Sequence, residues 1–286
     1  MAYLYLCSIP DITTELVKGV QLIQLHISIR TSPTPGVGSF AHPDAAIRLH
    51  GSSMNSPTKP YKNRVLASLP EAEIKRLMPH LSPVVLEQEK TLLDGEAKHG
   101  YFLEQGIASV VVTLADGDTV EVGVIGCDGV VGLPILFGTD GAPGRTFIQI
   151  AGSGFSINAD TLKKEFERSS ELRRYLQRYM HAFLVQSAQT AACNRKHNIE
   201  ERLARWLLTC RDRMETDDLR LTHDFLGQML GAPRSTVTLA AGLLQRAGLI
   251  NYSRGVVTVH DRAGLENVAC ECYRTVRNEY QRLSLL

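Results

Sequence analysis

The chain is poor in cysteine and has no long apolar run, and each shortage excludes a class of protein. Six cysteines are scattered over 286 residues, a spacing that fits neither the disulfide framework of a small secreted protein nor a zinc finger. No apolar run is long enough to span a bilayer, and the N-terminus lacks the basic segment of a signal peptide. We therefore expect a cytoplasmic protein without a membrane partner.

Catalytic motifs are missing as well. The sequence contains no phosphate-binding loop, no Cys/His nucleophile pattern and no paired carboxylates. The net charge of +1 excludes a chain that coats nucleic acid through bulk charge, although specific DNA binding needs only a local basic face. We expect about two domains from the length and a protein that is not an enzyme.

What is present is clearest over residues 222–259, where a winged helix-turn-helix is predicted. Thr222 is a good helix N-cap, Gly231 interrupts the helical spacing where a tight turn is needed, and Pro233 suits the first position of a second helix. Two short β-forming runs around a Ser-Arg-Gly turn then predict a hairpin, the wing. A helical hairpin without a ligand is the alternative, but these features occur together and favour a DNA-binding unit.

The N-terminal end of the second helix in such a unit reaches base edges in the major groove of double-stranded DNA. Arg234 is the predicted base reader, through guanine O6 and N7, while Thr222 and Arg254 are predicted to contact phosphates from the first helix and the wing. The complete set of predicted DNA-binding residues is Thr222, Arg234, Ser235, Thr236, Thr238 and Arg254.

Two segments differ from the C-terminal part in composition and in hydrophobic patterning. Residues 1–60 are predicted to be a disordered extension, because 32–56 is rich in Pro, Gly, Ser and His and has no period. A translation start at Met54 is a hypothesis that the intact mass would decide.

Residues 61–168 carry short runs of Val, Ile and Thr separated by Gly-Asp turns, which predict a small barrel or jelly roll. Strands are expected at 108–114, 119–125 and 146–150, and Asp160 is expected to cap a short helix.

A long helix is predicted from Glu171 to Asn194, within a segment 169–196 that leads to the DNA-binding domain at 197–286. One face of this helix carries a regular seam, which fits a coiled-coil-like dimer contact or packing against the chain's own barrel. Both alternatives stay open. The residues that recur along it every three or four positions are Leu172, Leu176, Tyr179, Phe183, Gln186, Thr190 and Cys193.

A barrel, a long helix and a winged helix-turn-helix in this order resemble the cyclic-AMP receptor/fumarate-nitrate regulator (Crp/Fnr) family over residues 65–280. The stretches Gly100–Gly106, Gly129–Pro134 and Leu219–Val259 carry the resemblance. It implies an α+β chain with a cyclic-nucleotide-binding-like β jelly-roll barrel, a long dimerisation helix and a C-terminal winged helix-turn-helix. It also implies a homodimer that binds near-palindromic promoter sites and works with RNA polymerase.

The resemblance extends to effector residues in the barrel. Arg145 and Thr146 resemble the pair that neutralises the phosphate of a cyclic nucleotide. Leu133 or Pro134 stands where the family's glutamate holds the ribose hydroxyl, and leucine cannot accept that hydrogen bond. We therefore disfavour a cyclic nucleotide and leave the effector open. The effector-binding residues that the resemblance implies are Gly132, Arg145, Thr146 and Ser187.

The same resemblance shows departures in the operator-reading and metal-binding positions. The family's Arg-Glu…Arg pattern appears here as Arg234, Ser235 and Leu239, so a different operator is expected. Oxygen-sensing members use an N-terminal cysteine cluster, whereas this chain has only Cys7 there, and a cluster needs about four thiolates. No iron–sulfur or other metal site is predicted.

Two groups of metal-binding residue types are interpreted as structural. Cys270 and Cys272, the close cysteine pair, are interpreted as small residues on an amphipathic final helix. Lone histidines are more often structural than haem ligands, and this interpretation covers His99, His181 and His197.

The sequence thus predicts a dimeric, sequence-specific DNA-binding transcription regulator with an effector-responsive or degenerate sensory barrel. The alternative keeps DNA binding and reduces the barrel to an effector-independent dimer scaffold. The operator, and whether the protein activates or represses, stay open.

Overall fold

The structure, a computed structural model, describes residues 61–286 except positions 116 and 140, and the side chains at 142 and 143 also fall outside the description. The predicted extension at 1–60, the Met54 hypothesis and Cys7 lie outside the described residues. In chain order the elements are α1 (Arg64–Ser68), α2 (Glu71–Leu77), a 3₁₀ turn (Met78–His80), β1 (Ser82–Leu86), β2 (Thr91–Glu96), β3 (His99–Thr113), β4 (Thr119–Ile125), α3 (Leu133–Leu136), β5 (Gly141–Asn158), α4 (Ala159–Arg168), α5 (Ser170–Lys196), α6 (Ile199–Met214), β6 (Asp218–Arg220), α7 (His223–Leu230), α8 (Arg234–Arg246), β7 (Ile250–Ser253), β8 (Val256–Val259), α9 (Arg262–Val268) and α10 (Glu271–Arg282).

The first half of the described chain is an antiparallel sheet with the strand order β1-β5-β3-β4, and β2 also pairs with β5. The long strands β3 and β5 pair along most of their length, and shifts of register between them allow the sheet to curve around its core. Gly106 has a φ of +97°, and a Cβ there would lie 2.7 Å from the carbonyl oxygen of Ile150, so this position needs glycine. The curved sheet confirms the predicted jelly-roll barrel.

Helix α4 follows the barrel, and its N-cap is Asn158, two residues before the predicted cap Asp160. The Asn158 side chain accepts hydrogen bonds from the backbone N–H groups of Asp160 and Thr161. Asp160 lies in the first turn instead, where its carboxylate faces the positive end of the helix. The prediction of Asp160 as the cap was wrong because an Asn side chain at the strand end satisfies the same donors.

The long helix α5 packs its regular seam against its own chain. Ser169 caps it by accepting the N–H of Leu172, and the helix continues for 27 residues to Lys196. Of the two alternatives for the seam, the structure has packing within the chain, because these residues are buried or contact the barrel core: Leu172, Leu176, Tyr179, Phe183, Gln186, Thr190 and Cys193. No helix of the described residues is long and apolar enough to cross a membrane.

A second row along α5 stays exposed. Its members also recur every three or four positions, and they are Arg174, Gln177, His181, Leu184, Ala188, Ala191 and Arg195. Leu184 has 67% of its surface exposed. An exposed leucine followed by two alanines at this spacing is typical of a helix that pairs with another helix.

The winged helix-turn-helix is confirmed. Helices α6 to α10 surround a three-stranded sheet in the order β6-β8-β7. Strand β6, which spans Asp218–Arg220, is an addition to the predicted wing, and its three residues are too few to show alternation in the sequence. We call this part of the chain, from α6 to α10, the DNA-binding half. Its core includes Leu203, Trp206, Leu207, Leu219, Leu226, Met229, Leu230, Val237, Ala240, Ala241, Leu244, Ile250 and Val257.

Helix α6 joins this half to the barrel through buried polar contacts. The Trp206 indole N–H donates to Glu121 Oε1 on β4 over 2.8 Å. The Arg213 guanidinium lies 2.9 Å from Asp128 Oδ2 and donates to Gln186 Oε1 of α5 over 2.8 Å. Since unpaired buried charges are costly, these contacts hold the barrel, the long helix and the DNA-binding half in one arrangement.

Candidate DNA interface, barrel cavity and cysteine cluster

The turn between α7 and α8 is shaped by two glycines. Thr222 caps α7, its hydroxyl accepting the N–H of Phe225 over 3.2 Å. Gly231 ends the helix with a φ of +54°, a conformation that glycine adopts without strain. A Cβ on Gly227 would lie 2.9 Å from the Ala232 carbonyl oxygen, so a side chain there would push the two helices apart.

Helix α8 turns its apolar face inward and leaves a polar N-terminal end exposed. Arg234, Ser235 and Thr238 are exposed, and Thr236 is half-buried. The structure therefore brings the predicted contacts of this helix together at one end. Their contact with DNA stays a prediction.

Two contacts from α7 hold these exposed side chains. The Arg234 guanidinium lies 3.0 Å from Asp224 Oδ2, and Thr238 Oγ1 lies 2.9 Å from His223 Nδ1. Burial lowers the pKa of His223, and the charge of Arg234 lowers it further. A neutral imidazole is thereby favoured next to the predicted base reader.

The wing is fixed to both helices. The Tyr252 ring stacks on the His223 ring with 4.0 Å between centroids, and the Tyr252 N–H donates to Gln245 Oε1 over 2.7 Å. Arg254 occupies the turn with a φ of +49°, followed by Gly255 at +78°. The predicted phosphate contact thus projects from the tip of a hairpin that is tied to the helix-turn-helix.

Sequence reasoning missed an apolar part of the same surface. Leu239 has 69% of its surface exposed on α8, and Leu243, one turn further on, is also exposed. Contiguous exposed apolar residues, unlike single ones, often mark an interaction surface. Leu239 stands where the family has its second arginine, which was the signal available in the sequence. Apolar contact with a thymine methyl group is one way that proteins read the major groove.

An open cavity of about 690 Å³ lies between the barrel and the long helix. Gly132, Thr146 and Ser187, which the resemblance assigned to the effector, all line it. Most of the other lining residues are apolar, and among the described residues they include no carboxylate and no guanidinium. They are Leu93, Val110, Ile125, Leu133, Pro134, Phe137, Thr139, Gly141, Gly144, Met180, His181, Phe183 and Leu184.

Arg145 is not among the residues that line the cavity. Successive residues of a strand face opposite sides, so Arg145 and Thr146 cannot both point inward from β5. The Arg145 guanidinium lies 4.7 Å from the centroid of the Phe147 ring, and Phe147 packs edge-on against Phe225 of α7. The structure thus separates the pair that resembled a phosphate-binding site.

Four side chains that the sequence analysis left apart meet where α5 ends. Cys193 lies in the last turn of α5, His197 caps that helix, Cys270 caps α10 and Cys272 lies in its first turn. Their potential ligand atoms all lie within 4.8 Å of one another. Hydrogen bonding from the Cys270 thiol lowers the pKa of the Cys193 thiol below its usual range.

In the structure Cys270 and Cys272, which were interpreted as small residues of an amphipathic helix, have two further potential ligands beside them. Their partner Cys193 is 77 positions before Cys270, so no local pattern connects them. The signal available in the sequence was the spacing of Cys193 and His197, because residues four apart share one face of a helix. A residue set that could hold a metal ion was therefore present but divided between two segments.

The DNA-binding half also matches a known domain. Residues 201–268 match the family model described as the Crp-like helix-turn-helix domain. These residues form a Crp-like helix-turn-helix domain. The matched range contains all six predicted DNA-binding residues and ends before α10. No curated protein sequence matches the chain.

Solved structures of Crp/Fnr regulators share the fold. FixK2 from Bradyrhizobium japonicum is 17% identical, with a TM-score of 0.58 over 66% of this chain and 98% of that one. A regulator of the crp/fnr family from Eubacterium rectale is 18% identical, with a TM-score of 0.55 over 71% and 96%. TTHB099, a CRP-family regulator from Thermus thermophilus, is 20% identical, with a TM-score of 0.54 over 65% and 96%.

At these identities the structural likeness establishes the fold. The described chain has the Crp/Fnr fold, with a cyclic-nucleotide-binding-like barrel in front of the DNA-binding unit. The Crp-like domain at its C-terminal end makes the protein a DNA-binding transcription regulator.

Proposed function

We propose that the protein is a homodimer that binds a near-palindromic DNA site through the N-terminal end of α8. The observation that carries this proposal is the exposure of Arg234, Ser235 and Thr238 at that end, while Val237 and Ala241 of the same helix are buried. A recognition helix needs this division, because one face packs on its domain and the other enters the major groove.

Selection of bound fragments from genomic DNA tests the DNA-binding part of the proposal. We expect an enriched motif with two inverted half-sites whose centres are about 34 Å apart, because a two-fold dimer presents its helices on one side of the duplex. Fragments without a common motif would contradict sequence-specific binding. A cytoplasmic location and contact with RNA polymerase belong to the same proposal.

The exposed row on α5 supports the dimer. Leu184, Ala188 and Ala191 provide an apolar centre, and Gln177 and His181 continue the row at heptad spacing. Small residues let two helices approach closely, while the inward seam is already occupied by the chain's own core. The dimer contact therefore lies on the opposite face of the helix from the seam that the sequence singled out.

Light scattering after size-exclusion chromatography tests this contact. We expect twice the chain mass of 31.5 kDa for the unchanged protein and a monomer for Leu184→Glu, because two carboxylates would meet in the apolar centre. Val85→Glu, which replaces an equally exposed apolar residue on β1, is the matched control and should stay dimeric. A dimeric Leu184→Glu protein would contradict the assignment.

We assign the barrel cavity to an uncharged, largely apolar effector. A cyclic nucleotide brings a phosphate charge and a ribose hydroxyl, and burying them without partners costs several kcal/mol in order of magnitude, about 1–3 for the hydroxyl alone. Thr139, Thr146, His181 and Ser187 offer a few polar atoms to orient a ligand inside apolar walls.

Thermal-shift and calorimetric screening with cyclic nucleotides and with apolar metabolites tests this assignment. We expect stabilisation by the apolar class, and its loss in Val110→Phe, which fills the cavity from β3. Val112→Phe changes an exposed residue two positions further along the same strand and should keep the response. Stabilisation by no compound would favour the alternative in which the barrel serves only as a dimer scaffold.

A further inference from the structure

We propose that Cys193, His197, Cys270 and Cys272 bind one Zn²⁺ ion, which fastens the long helix to the last helix of the chain. Three thiolates and one imidazole form a donor set that structural zinc sites use. This site is separate from the DNA-reading face and from the barrel cavity, and its test does not depend on either.

The distances fit a single four-coordinate ion. Sulfurs bound about 2.3 Å from a tetrahedral Zn²⁺ lie about 3.8 Å from each other and about 3.6 Å from a bound ring nitrogen. The structure has 3.5 Å between Cys193 Sγ and Cys270 Sγ, and 3.5 Å between Cys272 Sγ and His197 Nδ1. An iron–sulfur cluster spreads its ligands over several irons, so four atoms within 4.8 Å favour a mononuclear site.

Glu271 holds the imidazole in the tautomer that a metal requires. Its Oε2 atom lies 3.2 Å from His197 Nε2, so the proton belongs on Nε2 and the lone pair of Nδ1 faces the sulfurs. A carboxylate behind a ligating histidine is the usual arrangement at protein metal sites. Gln189 adds an N–H donor 3.1 Å from Cys272 Sγ, which stabilises a thiolate at that position.

Burial and charge also suit the ion. Cys193, Cys270 and Cys272 are buried. Zn²⁺ with three thiolates carries a net charge of −1, and the charges of Arg202 and Arg205 act on Cys193. The Nε atoms of both arginines are buried without a hydrogen-bond partner among the described residues. The positive charges of the two arginines act in the direction that compensates an anionic metal site.

The position of the site gives the ion a mechanical role. Asn198, which caps α6, directly follows His197, so the ion would lie where the long helix passes into the Crp-like domain. The cysteines of α10 are outside the matched range 201–268. A metal at this point fixes the angle between the helix and the DNA-binding half.

Metal analysis of the full-length chain, purified under reducing conditions, tests the proposal, together with replacement by Co²⁺. We expect one Zn²⁺ per chain, and in the Co²⁺ form the visible absorption of a tetrahedral thiolate complex. Cys193→Ser and Cys270→Ser should each lose stoichiometric metal, while Cys127→Ser, at a buried cysteine elsewhere, should retain it. A chain that takes up neither ion, a different ion in this place or a Cys193–Cys270 disulfide instead of metal would overturn the proposal.

A milder pair of variants tests the second ligand layer without removing a ligand. Glu271→Gln should weaken Zn²⁺ binding by about 10- to 100-fold in competition with a chromophoric chelator. Glu279→Gln is the matched control, because Glu279 also lies on α10 and contacts a histidine of α5, His181, over 2.8 Å. Equal affinities for the two variants would show that Glu271 does not position a ligating His197 and would overturn the four-ligand site.

Discussion

The Crp-like domain has two polar faces, and burial separates them. On the face that is proposed to meet DNA, Arg234 and Asp224 form an ion pair with side chains 66% and 63% exposed. On the face turned toward the barrel, Arg213 and Asp128 are 3% and 1% exposed. Exposed pairs contribute about 0–1 kcal/mol to stability, whereas breaking a buried pair costs about 3–5 kcal/mol.

The difference teaches how one small domain serves two purposes. In the proposed DNA contact, Arg234 would exchange Asp224 for a base or a phosphate at little cost, because the pair is exposed. The buried pair and the Trp206–Glu121 hydrogen bond hold the other face against the barrel. These contacts resist breaking and fix the position of the DNA-binding half on the barrel.

The largest expected effect comes from breaking the buried ion pair between Arg213 and Asp128. Asp128→Ala leaves the Arg213 charge buried without its partner, and we expect the free energy of unfolding to fall by about 3–5 kcal/mol. Asp224→Ala breaks the exposed pair and should cost less than about 1 kcal/mol. Urea unfolding of both variants measures the two losses. Equal losses would remove the distinction between the faces.

The stability that the barrel-facing contacts contribute is also expected to depend on pH. Burial raises the pKa of Glu121 to about 7, against the opposing hydrogen bonds from Ser109 and Trp206. The folded state therefore retains a proton that the unfolded state releases near pH 4.5. The stability due to this group is full below that pH and is lost as the pH rises through about 7, a difference of about 3 kcal/mol in order of magnitude.

Glu121→Gln measures this contribution, because glutamine cannot titrate. We expect its melting temperature to fall less between pH 5 and pH 8 than that of the unchanged protein. Glu96→Gln, at an exposed position, should keep the original slope. The same slope in all three proteins would show that Glu121 does not titrate in this range.

On the DNA-facing side, Arg234→Ala should weaken binding by about 1–3 kcal/mol and relax discrimination at one base pair, because a bidentate contact to guanine is lost. Arg254→Ala should weaken binding to all sequences alike and reduce its salt dependence, as expected for a phosphate contact. Fluorescence anisotropy with the selected operator and single-base variants measures both. A uniform loss for Arg234→Ala would reassign it to the backbone.

The smallest expected effect concerns Leu239. If it covers a thymine methyl group, replacing that thymine by uracil should weaken binding about fourfold, the value of one buried methyl group. Leu239→Ala should bind both operators equally. Operators with uracil at each thymine in turn, measured against both proteins, locate the contact. A fourfold loss that persists in Leu239→Ala would assign the methyl contact to another residue.

Much of the DNA-binding unit could be predicted because its signals are local. Thr222, Gly231 and Pro233 each act on a backbone within a few residues of themselves. The structure has Thr222 and Gly231 as cap and turn, whereas Pro233 is the N-cap of α8, one residue before the first helical position predicted for it. The barrel was likewise recognisable from short β-forming runs. Strand β4 has the bounds expected for it, and β3 and β5 extend well beyond their predicted runs.

The parts that escaped prediction depend on which surfaces meet. The spacing of the α5 seam indicated a packed helix face but not its partner, and the structure has the chain's own core there. Arg145 and Thr146 are adjacent in sequence, yet the strand turns them to opposite sides. In the sequence Leu239 is only a departure from the family pattern, whereas in the fold its side chain is exposed.

The sequence by itself determined the order of the elements, the helix-turn-helix and the polar end of α8, because capping, turns and periodicity operate over short distances along the chain. Only the tertiary structure decided which residues line the cavity, which face of α5 stays free and that Cys193 and His197 meet Cys270 and Cys272. Contacts between segments that are distant in the sequence follow from packing of the whole core. The spacing of residues along the chain does not show which distant segments meet.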